Sequence, residues 1–369
     1  MAWFVPQNKL DPQQRQFVNN VDIDKGNKWI EGFAGSGKSV LLAHTAKKII
    51  TRHPDASMIL IVFTRSLVEM FKAGFRDMNI SVEVDTYYGF MDGGGSYDYI
   101  LCDEVQDLPD RVLRAMKSRG EHVVVAGDSN QSIYEKDPRW QESTVSPSDI
   151  NDLLDSSSFK LNMIHRLSHS IINAVNKLMP SMNIFAAKVD MVKSDTQIRL
   201  CRASSEGEEV GYIMQNALRA VNAGYTVGVL LPSQNKIVDF ANKALQANGK
   251  STWSVSLGRY GKPNFAALNS HFRSQGLKMQ YVGSGGGSFD DNDPKINIMT
   301  YYSAKGLDFD TVYIPFVRRG MFITPDENRA RTVFMVAITR ARENLYLTYS
   351  GDPCEYIRAF RSDCAQIDI

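Results

Sequence analysis

The chain has 369 residues, 43% of them hydrophobic and 22% charged, with a net charge of +1. That composition excludes a disordered or fibrous chain, and the length favours two domains over one core. Near-neutral charge means that any nucleic-acid contact must come from a local basic groove, while apolar runs such as Met58–Phe63 are too short to span a bilayer.

In chain order, Met1 to Pro6 lacks the basic start and apolar core of a signal peptide, so a cytoplasmic protein with no membrane partner is expected. Asn8-Lys9-Leu10-Asp11 has the letters of a guanine-reading signature but precedes the glycine loop, the wrong side for a GTPase. Pro12 suits a helix start. The glutamines after it carry amides able to pair with both edges of adenine, although most exposed glutamines do nothing specific.

Trp29-Ile30 then leads into Gly32-Phe33-Ala34-Gly35-Ser36-Gly37-Lys38-Ser39, and Val40 to Ile50 carries apolar residues at helical spacing. Strand, glycine loop and helix are the context of a phosphate-binding loop. Backbone N–H groups from Gly32 to Gly37, with Ala34, Gly35 and Ser36 between, would face phosphate oxygens at a helix N-terminus. Lys38 would reach the β- and γ-phosphates and Ser39 would take one position on Mg²⁺. The bland alternative is a glycine turn before an ordinary helix. The full pattern favours a nucleoside triphosphate.

Met58–Phe63 reads as a buried strand ending at Thr64-Arg65-Ser66, which suits either a nucleic-acid phosphate or a helix cap beside a surface arginine. Tyr99–Cys102 is a second strand, ending in Asp103-Glu104-Val105-Gln106-Asp107. Asp103 would hold the metal and Glu104 would orient and deprotonate the attacking water. Acidic clusters are common on surfaces; the phosphate loop gives this one weight. His122–Ala126 is a third strand, followed by Gly127 to Tyr134, where Gln131 could sense the γ-phosphate and Tyr134 face a groove. Three strands each ending in polar chemistry imply a doubly wound parallel sheet.

From Phe159 the composition shifts, and a boundary is placed at 157/158. Leu161 to Arg166 leads into a helical stretch, Ile171–Met179. Strands are expected at Gln197–Cys201, Thr226–Leu231, Ile296–Thr300, Thr311–Ile314 and Leu345–Tyr349, making a second α/β domain. Thr300 to Phe309 sets hydroxyls, a lysine and a glycine after a strand. Val333–Arg342 reads as a helix that delivers Thr339-Arg340-Ala341-Arg342. Arg340 is either an arginine that meets charge developing in phosphoryl transfer or an ordinary solvated residue. The four cysteines (Cys102, Cys201, Cys354, Cys364) have no C-x-x-C pair and read as reduced thiols.

The motifs G-x-x-G-x-G-K-S, D-E-V-Q-D, G-D-x-x-Q-S-I-Y, A-K-G-L-D-F and A-I-T-R-A-R, in this order, resemble superfamily 1 helicases of the UvrD/Rep type from Leu10 to about Gly351. The resemblance implies two RecA-like α/β domains with doubly wound parallel sheets, ATP in a cleft between them, and one nucleic-acid strand across their tops. Carried over by position, Gln14 resembles the adenine reader and His165 stands where a tyrosine usually stacks on adenine. Lys38, Ser39, Asp103 and Glu104 resemble the hydrolytic centre, and Gln131, Arg166 and Arg340 the γ-phosphate sensors and finger. Gly306 and Asp308 fall to the nucleotide. Phe63, Thr64, Arg65, Thr86, Tyr88, Tyr134, Thr300 and Tyr302 fall to the strand.

The chain departs from that pattern in several places. Tyr302 replaces a usual histidine, Asp308 a usual glutamate, and Lys136 the tryptophan that stacks on a base, with Trp140 as the candidate substitute. Where full relatives carry inserted subdomains, this chain has Asp92-Gly93-Gly94-Gly95-Ser96 and Gly283-Ser284-Gly285-Gly286-Gly287-Ser288. Both have flexible-linker composition and read as natural minimal loops or as replacements for removed subdomains. The implied function is an ATP- and Mg²⁺-dependent motor on single-stranded DNA, moving 3′→5′, with RNA and an unidentified protein partner left open. The rivals are a translocase that strips bound proteins, and a nucleic-acid-gated ATP switch that regulates a partner without moving.

Overall fold

The computed structural model describes residues 4–128, 132–180, 188–189, 195–258, 261–287, 289 and 293–369. The chain forms two compact units: Met1–Arg166 with Ala186–Asp190, and Leu167–Phe185 with Met191–Ile369.

The first unit is built on six parallel strands. They are β1 (Asn27–Gly32), β2 (Met58–Val62), β3 (Glu83–Thr86), β4 (Tyr97–Cys102), β5 (Gly120–Gly127) and β6 (Ser156–Leu161), in the spatial order β3-β2-β4-β5-β1-β6. Strand side chains alternate between faces, and here both faces are covered. Ile30, Leu60, Leu101 and Val124 join one core with Leu41, Leu42 and Phe71. Trp29, Ile59, Ile61, Ile100 and Val125 join another with Leu113, Met116 and Ile150. Because every strand runs the same way, Gly32, Thr64, Thr86, Asp103 and Asp128 all emerge at or just beyond one sheet edge. The sequence boundary at 157/158 falls inside β6, whose six residues pair with Asn27–Gly32. A short pair, β7 (Met163–Ile164) with β8 (Lys188–Val189), follows.

The second unit holds seven parallel strands: β9 (Gln197–Ala203), β10 (Val227–Leu231), β11 (Met279–Tyr281), β12 (Ile296–Thr300), β13 (Phe309–Ile314), β14 (Ala341–Ser350) and β15 (Ala365–Asp368). Their order is β11-β12-β10-β13-β14-β9-β15. Val227, Val229, Ile296, Ile298 and Tyr313 pack against Val210, Phe240 and Phe272 from three helices. The helix expected over 333–342 is instead Glu327–Ile338, and Ala341 already opens β14. Thr339 and Arg340 are therefore the turn between them.

The glycine tract at 283–287 is a packed turn, not a linker. Val282 bridges Gly287, and a Cβ on Gly286 would lie 2.3 Å from the Tyr281 ring. Gly94, by contrast, has nothing within 4 Å of such a Cβ. Ser288 lies outside the described residues.

Glu209 is fully buried, and its Oε1 accepts from Phe316 N–H and from the Thr348 hydroxyl at 2.6 Å, while Oε2 has no partner. Burial raises its pKa above the ordinary 4.5. A raised folded-state pKa favours the protonated form, so stability is lost as pH climbs through it. Glu209→Gln keeps the accepting oxygen and cannot ionise. Its melting temperature, relative to wild type, should therefore improve steadily as pH rises above 4.5. A pH-independent difference between the two melting curves would rule this out.

Candidate nucleotide and nucleic-acid sites

The loop after β1 curls because Gly35 and Gly37 adopt φ of +76° and +89°, which side chains strain against. A Cβ at Gly35 would meet Arg166 Cβ at 2.5 Å, and one at Gly37 would meet Gln14 Nε2 at 2.3 Å. The loop's glycines thus allow two neighbours to close on it. His165 N–H donates to Gly35 O at 2.9 Å, and Arg166 N–H donates to the same oxygen at 3.2 Å. Both of these candidates therefore sit with the glycine loop in the first unit.

Gln14 is 4% exposed and occupied at both ends of its amide. Oε1 accepts from Asp11 N–H at 3.1 Å, completing a capping box on the helix Pro12–Asn20, and Nε2 donates to Ser36 O at 2.9 Å. Asp11 also pairs with His165 Nε2 at 2.6 Å. In this arrangement Gln14 fastens the loop to the first helix.

Lys38 opens the helix Lys38–Arg52 and donates to Gly32 O at 2.9 Å and Phe33 O at 3.1 Å. Ser39 Oγ donates to Asp103 Oδ2 at 2.6 Å. Hydroxyl and carboxylate are the hard oxygen pair that Mg²⁺ prefers. Burial, then the neighbouring Glu104, pushes the Asp103 carboxyl up to about 6, which a cation would reverse. Ser36 Oγ is buried without a hydrogen bond, a polar atom left over inside the loop. The donor set fits a metal-bound triphosphate.

Glu104 has φ 57° and ψ 41°, a left-handed backbone that a non-glycine residue adopts at a cost of about 1–3 kcal/mol. Its Oε2 accepts from Gln106 Nε2 at 2.6 Å, and Gln106 Oε1 accepts from Asp128 N–H at 3.1 Å. Gln106 is fully buried, so it ties the end of β4 to the end of β5. Sequence reading passed over it, although its place inside D-E-V-Q-D marked it. Gln131 lies outside the described residues.

The strand-contacting candidates divide by the work they already do. Thr64 and Thr86 each cap a helix, accepting from Leu67 N–H and Gly89 N–H, both at 3.3 Å. For Thr64 the cap is the alternative that the sequence left open. Arg65 is exposed. Phe63 lies just past β2 and stacks on Tyr134 at 4.5 Å and on Tyr87 at 5.1 Å. Tyr87 and Tyr88 both donate to the buried Asp137, which the sequence did not single out because its partners lie about 50 residues away. Trp140 is not an open platform. Arg111 covers its ring at 3.5 Å, and Tyr88 packs edge-on at 5.0 Å.

In the second unit Thr300 Oγ1 accepts from Ser303 N–H at 3.1 Å, and Tyr302 is half-buried. Gly306 takes φ +82°. Asp308 pairs with Arg342 Nη2 at 2.6 Å. Arg340 is 2% exposed and not a solvated residue. Its Nε donates to Val336 O at 2.8 Å, Nη1 to Leu307 O at 3.2 Å, and Nη2 to Thr339 Oγ1 at 2.9 Å.

A glycine loop running into a helix, with Asp103 two strands away on one parallel sheet, defines a RecA-like P-loop fold. Two family models, both of superfamily 1 helicase domains, match separate parts of the chain. Residues 28–207 match the viral superfamily 1 RNA helicase core domain, and residues 280–352 match the UvrD-like helicase C-terminal domain. No curated protein matches the chain. Among solved structures, the arterivirus helicase nonstructural protein 10, in complex with DNA, is 15% identical with a TM-score of 0.42. That match covers 87% of this chain, which spans 60% of the viral protein's length. The C-terminal domain of a possible DNA helicase from Lactobacillus plantarum WCFS1 is 11% identical with a TM-score of 0.35, covering 55% of this chain and 98% of its own. Among the described residues no helix is long and apolar enough to cross a membrane.

Proposed function

We propose that the chain hydrolyses ATP and uses the cycle to step along single-stranded nucleic acid, as a 3′→5′ motor on DNA. The observation that carries this is the Ser39–Asp103 contact at 2.6 Å, set at the sheet edge that also carries Phe63, Thr64 and Thr86. Lys38 exchanges the Gly32 and Phe33 carbonyls for phosphate oxygens. Ser39 and Asp103 would hold Mg²⁺, which when bound would neutralise charge on the phosphates. Glu104, aimed by Gln106, takes a proton from the attacking water. Arg166 and Arg340 meet the charge that develops on the γ-phosphate. Tyr134, backed by Phe63 stacked between it and Tyr87, offers a ring face to bases, and Thr64, Arg65, Thr86, Tyr88, Thr300 and Tyr302 hold the backbone. The preference for DNA and the direction rest on the UvrD/Rep resemblance alone.

The test is ATPase stimulation by single-stranded DNA and RNA of increasing length, with strand displacement from 3′- and 5′-tailed duplexes. A motor's rate climbs with strand length to a plateau, with DNA the better activator and the 3′ tail required. Saturation at one footprint would instead identify a switch that fires without moving.

A further inference from the structure

The second sheet sets its two groups of expected contacts at opposite ends. Thr300 ends β12 in register with Leu231, the last residue of β10. Thr311 is in register with Val227, the first residue of β10, and Phe309, two residues earlier, pairs with Ala341. Arg340 precedes Ala341. It therefore stands about seven residue steps from Thr300, roughly 23 Å along the strands.

Residues 301–308 cross that distance, and their far end is held by a mesh of contacts. Phe309 N–H donates to Arg340 O at 2.9 Å, and Arg340 Nη1 donates to Leu307 O. Arg342 reaches back with both arms: Nη2 to Asp308 Oδ1 at 2.6 Å and Nη1 to Asp310 Oδ1 at 3.2 Å. Asp310 is in turn fixed, its Oδ2 accepting from Thr226 N–H at 2.9 Å and from the Thr226 hydroxyl at 2.8 Å. The Arg342 side chain is 21% exposed, so these pairs are shielded, and a guanidinium fork fixes orientation as well as charge. The same contact occupies Asp308, the residue that the resemblance assigns to nucleotide.

We propose that Arg342 is a positioning residue: by gripping Asp308 and Asp310 it makes the 301–308 loop and the Thr339–Arg342 turn one rigid piece, so that a strand held at Thr300 and Tyr302 bears on Arg340. The inference rests on the nucleic-acid reading above. In it, Arg342 touches neither nucleotide nor strand and acts only through its two carboxylates.

The test compares wild type, Arg342→Gln and Arg342→Lys for ATPase rate with and without a single-stranded oligonucleotide, alongside separate binding and melting measurements. Arg342→Gln should lose about tenfold of the strand's stimulation, the size of an ordinary coupling between sites, with affinities for strand and nucleotide unchanged. Arg342→Lys, which keeps a cation between the carboxylates, should recover part of the stimulation and melt like wild type. Full stimulation in Arg342→Gln would overturn the proposal. So would proportional loss of basal and stimulated rates in both variants, since that is what damaged packing does. A wild type that no strand stimulates would overturn the nucleic-acid reading itself, and this inference with it.

Discussion

Replacing Glu104 by glutamine should lower the rate constant for ATP hydrolysis by about 10²–10⁴-fold, the usual contribution of a general base, and leave nucleotide affinity intact. The reasoning is local. The glutamate backbone is held in a left-handed conformation, with its N–H on Asp103 Oδ1 at 3.0 Å and its carboxylate on Gln106. Glutamine has the same shape and can still accept from Gln106, so the strand end and the Ser39–Asp103 contact should persist. What it lacks is a basic oxygen. The glycine loop, Lys38 and Ser39, on which nucleotide affinity rests in the proposed mechanism, are untouched. Steady-state ATPase beside fluorescent-nucleotide binding checks this. Undiminished turnover in a variant that binds nucleotide normally would remove Glu104 from proton abstraction.

The motifs were legible because each is a short string with a local cause. Gly35 and Gly37 need positive φ, and Asp103 needs a strand that ends beneath it. The wholly apolar Met58–Val62 could be read as a buried parallel strand for the same reason. Edge strands were not legible. β6 begins Ser156-Ser157-Ser158 and β15 is exposed along most of its length, so neither carries the apolar run that marks a central strand. The helix expected through Arg342 ran too long because no glycine or proline stands between Ile338 and Ala341, and periodicity alone does not mark such a junction.

Polar partners were the other blind spot. Asp137 meets Tyr87, and Arg342 meets Asp308, across about 50 and 34 residues, and no spacing rule joins such positions. Composition misled at 283–287, where glycines read as slack turn out to be needed to clear the Tyr281 ring. A string of glycines says that side chains are absent. It does not say whether the space they leave is empty or filled.

Arg340→Ala should cost about 10³–10⁵-fold in turnover if this residue is the arginine that meets the γ-phosphate. It should also destabilise the second unit, because removing the buried guanidinium takes a donor from Leu307 O and leaves Val336 O with only the Thr339 hydroxyl at 2.9 Å. That loss is worth about 1–3 kcal/mol for each buried group left unpaired. The two effects can be separated. Arg340→Lys keeps a cation able to reach one of those carbonyls but not the planar fork, so it should melt closer to wild type and hydrolyse ATP as poorly as the alanine variant. Rates that recovered in step with melting temperature would mean that Arg340 is a structural arginine, and the γ-phosphate would then need another partner. A lysine variant that is folded, binds nucleotide and turns it over negligibly would mean that the guanidinium leaves Val336, Leu307 and Thr339 during the cycle. The contacts that now hold it would then be a resting position, and their strength would set part of the barrier to each round of hydrolysis.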